Sequence, residues 1–174
     1  MFEELNVLIN EEELNKKIKE LATIIEEDFK GEELVLICIL KGAVYFAIDL
    51  SKQIKNNVVT LDFMKVSSYG NDFVTSGNVE FILDITTDIT GKNVIVVEDI
   101  IDSGYTLSFI KDYLSKKKPK SLKLCVLLDK KERREKEVKI DYTGFEIENK
   151  FVVGYGLDYE DKYRNLPYVG WVEV

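Results

Sequence analysis

VIVVEDIIDSGYTLSFI, Val94 to Ile110, begins with four β-branched aliphatics and runs straight into two adjacent carboxylates, Glu98 and Asp99. Two more aliphatics follow, then a third carboxylate, Asp102, and a small polar turn before helical spacing takes over. The continuous apolar run is the pattern of a strand covered on both faces. A carboxylate is costly to bury unless something pairs with it. Three of them at the end of one such strand therefore raise the question of what they meet there.

The same alternation extends on both sides. Upstream, Asn10 followed by three glutamates reads as a helix N-cap with acids in the first turn, and Leu14, Ile18, Leu21 and Ile25 recur at helical spacing through about Phe29. Leu34 to Leu40 is an apolar run of strand length, and Gly42 opens a helical segment marked by Ala43, Phe46, Ala47 and Leu50. Val58 to Val66 and Asn78 to Leu83 have strand character, and SSYGNDFVTSG, Ser67 to Gly77, reads as a mobile loop between them. A strand from Gly91 to near Asp99, a helix from Gly104 to Ser115 and a strand from Ser121 to Leu128 come next. KKERREKEVK, from Lys130, reads as a solvated turn. Phe151 to Tyr155 and a final strand in YVGWVEV close the chain. Strands alternating with helices predict an α/β fold with a mostly parallel sheet flanked by helices. In such folds ligands bind beyond the carboxyl ends of the strands, where the three acids sit.

Bulk properties narrow the function. The 174 residues suffice for one domain with a proper core, and 45% hydrophobic content places the chain in the globular class. A formal charge of −8 argues against a nucleic-acid surface or an anionic membrane as partner. The chain has no histidine, which removes the Ser-His-Asp triad, the Cys-His pair and every His-bearing zinc site. Its two cysteines, Cys38 and Cys125, each lie inside an apolar run and read as buried free thiols, which fits a reducing, cytoplasmic compartment. The opening MFEELNVLINEEE lacks the basic segment and apolar core of an export signal, so none is expected. Lys41 and Asp49 interrupt the most apolar stretch, Leu34 to Leu50, so no membrane span is expected either.

The turn Asp102 to Thr106 suits a phosphate. Gly104 permits positive φ or close approach of a ligand, Ser103 and Thr106 supply hydroxyls, and amides at a helix start attract anions. It is not a Walker loop, since no G-x-x-x-x-G-K-[ST] occurs. Glu98 and Asp99 would repel a phosphate but suit sugar hydroxyls, a metal ion or a cationic centre. A phosphate grip preceded by hydroxyl-binding acids describes a ribose 5-phosphate site.

VVEDIIDSGYTL also resembles the signature of the type I phosphoribosyltransferases, which use phosphoribosyl pyrophosphate (PRPP), and its E-D-I-I-D-S-G form resembles the hypoxanthine-guanine branch. The likeness covers roughly Leu34 to Tyr168, with the motifs in the family's order. It implies the type I phosphoribosyltransferase fold: a core from about residue 30 to 150 and a small hood from about 1–10 and 151–174, together one domain. It implies purine salvage, in which hypoxanthine or guanine and PRPP give the nucleotide and pyrophosphate, with Mg2+ as cofactor and a homodimer or homotetramer as the assembly.

Residue by residue, the resemblance implies that Glu98 and Asp99 contact the ribose hydroxyls, partly through magnesium. Asp102 would be the catalytic acid or base near N7 of the purine. Asp102, Ser103, Gly104, Tyr105 and Thr106 would wrap the 5′-phosphate, although many relatives carry Lys where this chain has Tyr105. Lys41 and Gly42, in LKG, match the pyrophosphate loop, with a non-proline cis peptide expected at Leu40–Lys41. Ser68 and Tyr69 match the flexible loop that closes over the site. Lys130 would meet the purine O6, Phe151 would stack on the base and Val152 would bond it through its backbone. Asp158 would hold a second magnesium, and Arg164 would reach pyrophosphate. Two alternatives stay open: a PRPP-sensing regulator that binds nucleic acid, and an enzyme of this fold acting on another base such as xanthine or orotate. Retention of Asp102, Lys130 and Arg164 favours an enzyme, and the Lys130–Phe151 pair argues against orotate.

Overall fold

The computed structural model describes residues 5–67 and 80–173. A long apolar strand can be satisfied only in the middle of a sheet, and that is where the apolar runs lie. β2 (Leu34–Ile39), β5 (Asn93–Ile101) and β6 (Ser121–Asp129) are neighbours in a six-stranded sheet. With β3 (Val59–Ser67), β4 (Glu80–Leu83) and β7 (Tyr142–Glu146), its order is β4-β3-β2-β5-β6-β7. Every pairing is parallel except β3 with β4 at one edge.

Side chains alternate across a strand, and the core divides accordingly. Leu34, Leu36, Cys38, Ile95 and Val97 face one side, where α1 (Glu11–Phe29) and α2 (Val44–Gln53) pack with Leu14, Ile18, Phe46 and Leu50. Val35, Ile37, Val94 and Val96 face the other, against Leu107, Ile110 and Leu114 of α3 (Tyr105–Ser115). α1 starts in a capping box: the Asn10 side chain accepts from the Glu13 N–H and the Glu13 carboxylate accepts from the Asn10 N–H. A second, antiparallel sheet joins the two ends of the chain, in the order β1 (Asn6–Ile9), β9 (Val169–Val172), β8 (Phe151–Val153).

The topology fixes where a ligand can sit. β2 has β3 on one side and β5 on the other, and their following helices lie on opposite faces of the sheet. The loops after β2 and β5 therefore diverge and leave a crevice at the carboxyl ends, the usual ligand position in open α/β sheets.

One sequence expectation needs correction and a second needs extending. β5 does not stop near Asp99 but continues to Ile101, because β6 runs alongside it in register as far as Ile101 opposite Asp129. Glu98 thus lies inside the paired strand and is 8% exposed. The run from Lys130 is largely exposed, as a solvated turn should be, but it is also anchored: after a short 3-10 helix, Lys131–Arg133, it folds back onto the Asp102–Gly104 turn. Within it Arg133 pairs with Asp102 and Arg134 with Asp129, so part of a charged surface run holds the turn after β5. Among the described residues, no helix is long and apolar enough to cross a membrane.

Candidate active site

Three groups of charged residues meet at the crevice. The first is the acid pair at the end of β5. Asp99 donates its N–H to Glu98 Oε1 at 3.0 Å, and Ile100 donates to Asp99 Oδ1 at 2.7 Å, which fixes both carboxylates. Burial pushes the Glu98 carboxyl well above the usual carboxylate range, and the charge of Asp99 adds to it. Asp99 is also raised by burial, against hydrogen bonds and the charge of Arg164, which pull the other way. The loop after β2 seats on this pair. A Cβ at Gly42 would stand 1.7 Å from Asp99 Oδ2, so only glycine admits the approach. The preceding peptide, Leu40–Lys41, is cis.

The second group surrounds Asp102. Gly104 caps α3 with φ 92, and a Cβ there would meet the Lys136 carbonyl at 2.4 Å. The Ser103 carbonyl accepts from the N–H groups of Glu135 and Lys136 at 3.0 and 2.9 Å. Arg134 donates to the Asp102 carbonyl at 3.1 Å and pairs with the buried Asp129 carboxylate. Arg133 Nε lies 2.9 Å from Asp102 Oδ1. Lys130 follows β6 directly, donates its N–H to the Ile101 carbonyl at 3.1 Å and is 9% exposed. Burial lowers its pKa, with the nearby charge of Asp102 opposing and that of Arg133 reinforcing. A cavity of about 150 Å³ opens here between Glu98, Asp99, Asp102, Ser103, Gly104 and Thr106. Tyr105, the first residue of α3, is half-buried beside it.

The third group comes from the C-terminal segment. Tyr155 donates to Asp49 Oδ2 of α2 at 2.7 Å and ties that segment to the core. Arg164 contacts Asp158 at 2.7 Å and Asp161 at 3.3 Å, and Lys41 contacts Asp161 at 2.9 Å. Phe151 is exposed at the start of β8, edge-on to Tyr159 with centroids 5.6 Å apart, and Val152 is buried.

The fold thus gathers Lys41, Gly42, Glu98, Asp99, Asp102, Lys130, Asp158 and Arg164 at one rim. Phe151 and Val152 stand on the other sheet, and no hydrogen bond, ion pair or ring contact among the described residues joins Phe151 to Lys130 or the acids. Ser68 and Tyr69 lie outside the described residues. Sequence reading missed Arg133, Arg134, Asp129 and Asp161. The available signal was two adjacent arginines three and four residues after Lys130, just beyond the strand end of the proposed base contact.

A small polar cavity at a helix start, beside the carboxylates that end β5 at an α/β switch point, suits a phosphorylated sugar or nucleotide. The family model of the phosphoribosyl transferase domain matches residues 8–160. The chain is 48% identical over 164 residues to the hypoxanthine-guanine phosphoribosyltransferase of Bacillus subtilis, covering 94% of this chain and 91% of that one. It is 49% identical to the bifunctional protein TilS/HprT of Listeria monocytogenes, but spans only 25% of that protein's length. A crystal structure of a hypoxanthine-guanine phosphoribosyltransferase from Bacillus anthracis superposes with a TM-score of 0.93 at 56% identity, covering 98% of this chain and 100% of that one. The chain belongs to the phosphoribosyltransferase family.

Proposed function

We propose that this chain is a purine-salvage enzyme that transfers the ribose 5-phosphate of PRPP to a 6-oxopurine and releases pyrophosphate. Hypoxanthine is the first substrate and guanine the second. The observation that carries the reading is the placement of a buried lysine, Lys130, directly after β6, beside the Asp102 turn that follows β5 on the adjacent strand. A cationic donor there donates to a purine O6 and leaves the amino group of adenine without an acceptor.

The roles follow from chemistry. The amides and hydroxyls of Ser103, Gly104, Tyr105 and Thr106 bind the 5′-phosphate at the start of α3. Glu98 and Asp99 take the ribose hydroxyls, and Lys41, Gly42 and Arg164 take the pyrophosphate. Phe151 stacks on the base and the Val152 backbone bonds it. As the base N9 bonds to C1′ and the C1′–O bond to pyrophosphate breaks, Asp102 holds the proton at N7 and stabilises positive charge on the sugar. The donor set fits magnesium, since Glu98 and Asp99 are hard oxygen ligands crowded together without a full counter-charge of their own. Glu98 and Asp99 would hold one ion and Asp158 a second, and bound magnesium would neutralise the pyrophosphate leaving group. The two sheets act as one domain, with the chain-end sheet as a hood over the crevice. Buried free Cys38 and Cys125 fit work in the reducing cytoplasm, and a homodimer or homotetramer is the expected assembly.

The test is pyrophosphate release in the presence of PRPP, magnesium and each of five bases: hypoxanthine, guanine, xanthine, adenine and orotate. Release with hypoxanthine and guanine, and none with adenine or orotate, is the expected result. No release with any oxopurine would sink the reading.

A further inference from the structure

Asp161 has no part in the roles above, yet it sits on both cations assigned to pyrophosphate. One oxygen, Oδ1, lies 2.9 Å from Lys41 Nζ and 3.3 Å from Arg164 Nη2. The two cations are far apart in sequence and converge on this one atom.

The contact is built by a tight turn. Tyr159 and Lys162 exchange backbone hydrogen bonds at 3.2 and 3.0 Å, which leaves Glu160 and Asp161 at the tip with φ of 50° and 60°. A two-residue turn with both central residues left-handed is a favoured hairpin reversal, and Asp enters that region more readily than most side chains. The Asp161 N–H donates to Asp158 Oδ2 at 2.8 Å, and Arg164 Nη1 donates to the Gly156 carbonyl at 2.7 Å, so the turn and the guanidinium are held together. Lys41 and Arg164 in turn draw the Asp161 carboxyl below the usual carboxylate range.

A carboxylate oxygen between a lysine and an arginine presents those cations with what a phosphate oxygen would present. Both cannot occupy the place. We propose that Asp161 is a resident competitor of the pyrophosphate group: its carboxylate pairs with Lys41 and Arg164 in the empty site, yields to PRPP, and re-forms the pairs as pyrophosphate leaves. The inference rests on the assignment of Lys41 and Arg164 to pyrophosphate. Asp161 is a positioning residue: it sets the state of the two cations and touches no reacting atom. Its side chain is 71% exposed, so the turn can swing aside without opening the core.

Ion pairs to a carboxylate that is 71% exposed each contribute little, so the competition is modest: their loss corresponds to a roughly three- to tenfold change in affinity. The experiment is calorimetric titration of magnesium pyrophosphate into the full chain without base, for the natural sequence, Asp161→Asn, Asp161→Ala and Lys41→Gln. Asp161→Asn and Asp161→Ala are expected to bind pyrophosphate about three- to tenfold more tightly. The same variants should lower the KM for PRPP and leave the KM for hypoxanthine in place, a split that loosened packing would not produce. Unchanged or weaker pyrophosphate binding in both variants overturns the proposal, weaker binding being the mark of a magnesium ligand instead. Lys41→Gln reports on the underlying assignment. Weaker binding there upholds it, and unchanged binding removes both the assignment and the competitor.

Discussion

Lys130 shows how a single side chain can carry specificity. It is 9% exposed, and burial lowers its pKa, so its ammonium is poorly solvated before any substrate arrives. An O6 acceptor would give that ammonium a hydrogen-bond partner. Lys130→Ala should therefore raise the KM for hypoxanthine at least about tenfold and change the affinity for PRPP by less than about twofold. Steady-state kinetics in both substrates checks this, and equal losses would mean that the fold, not the base contact, was damaged. Glu98, Asp99 and Asp102 stood out in the sequence because they end an apolar run of clear strand character, whereas Lys130 was singled out only by the family resemblance. Asp161 was not. It lies 120 positions from Lys41, and nothing in EDKYR distinguishes a carboxylate that closes on two cations from one that faces water.

At the scale of elements, the segment after β6 works as a strap on the turn after β5. Glu135 and Lys136 bond the Ser103 carbonyl, and Arg134 spans the Asp102 carbonyl and the Asp129 carboxylate. The arginine and aspartate side chains are 16% and 5% exposed. Breaking such a pair leaves a buried charge without a partner, which costs about 3–5 kcal/mol, whereas replacing both by apolar groups costs far less. Arg134→Met should accordingly lose about 3 kcal/mol in urea unfolding, and Asp129→Leu added to it should recover at least half. Failure of the second change to recover stability would show that the arginine acts through its carbonyl contact alone. The strap's contacts could not be read from sequence for a physical reason. A run of alternating charges has the same composition whether its partners are water or the ends of neighbouring strands, and only the parallel pairing of β5 with β6 brings those ends together.

For the whole molecule, the decisive feature is the switch between β2 and β5. It places the loop at Gly42 against Asp99, the cavity before α3 beside both, and the C-terminal segment across the opening through Lys41, Asp161 and Arg164. The parallel sheet could be read from apolar runs, since strands buried on both faces have no other sequence signature. The strand β7 could not, because YTGFE is short and interrupted by Gly144, and it exists by pairing with β6. The central claim is that the end of β5 is where the chemistry occurs and that Asp102 performs the proton work. The most direct measurement is kcat for hypoxanthine in Asp102→Asn, set beside its Kd for PRPP. The account predicts a fall in kcat of about 10²-fold or more with PRPP binding retained; a kcat within a few-fold of the natural chain would contradict it.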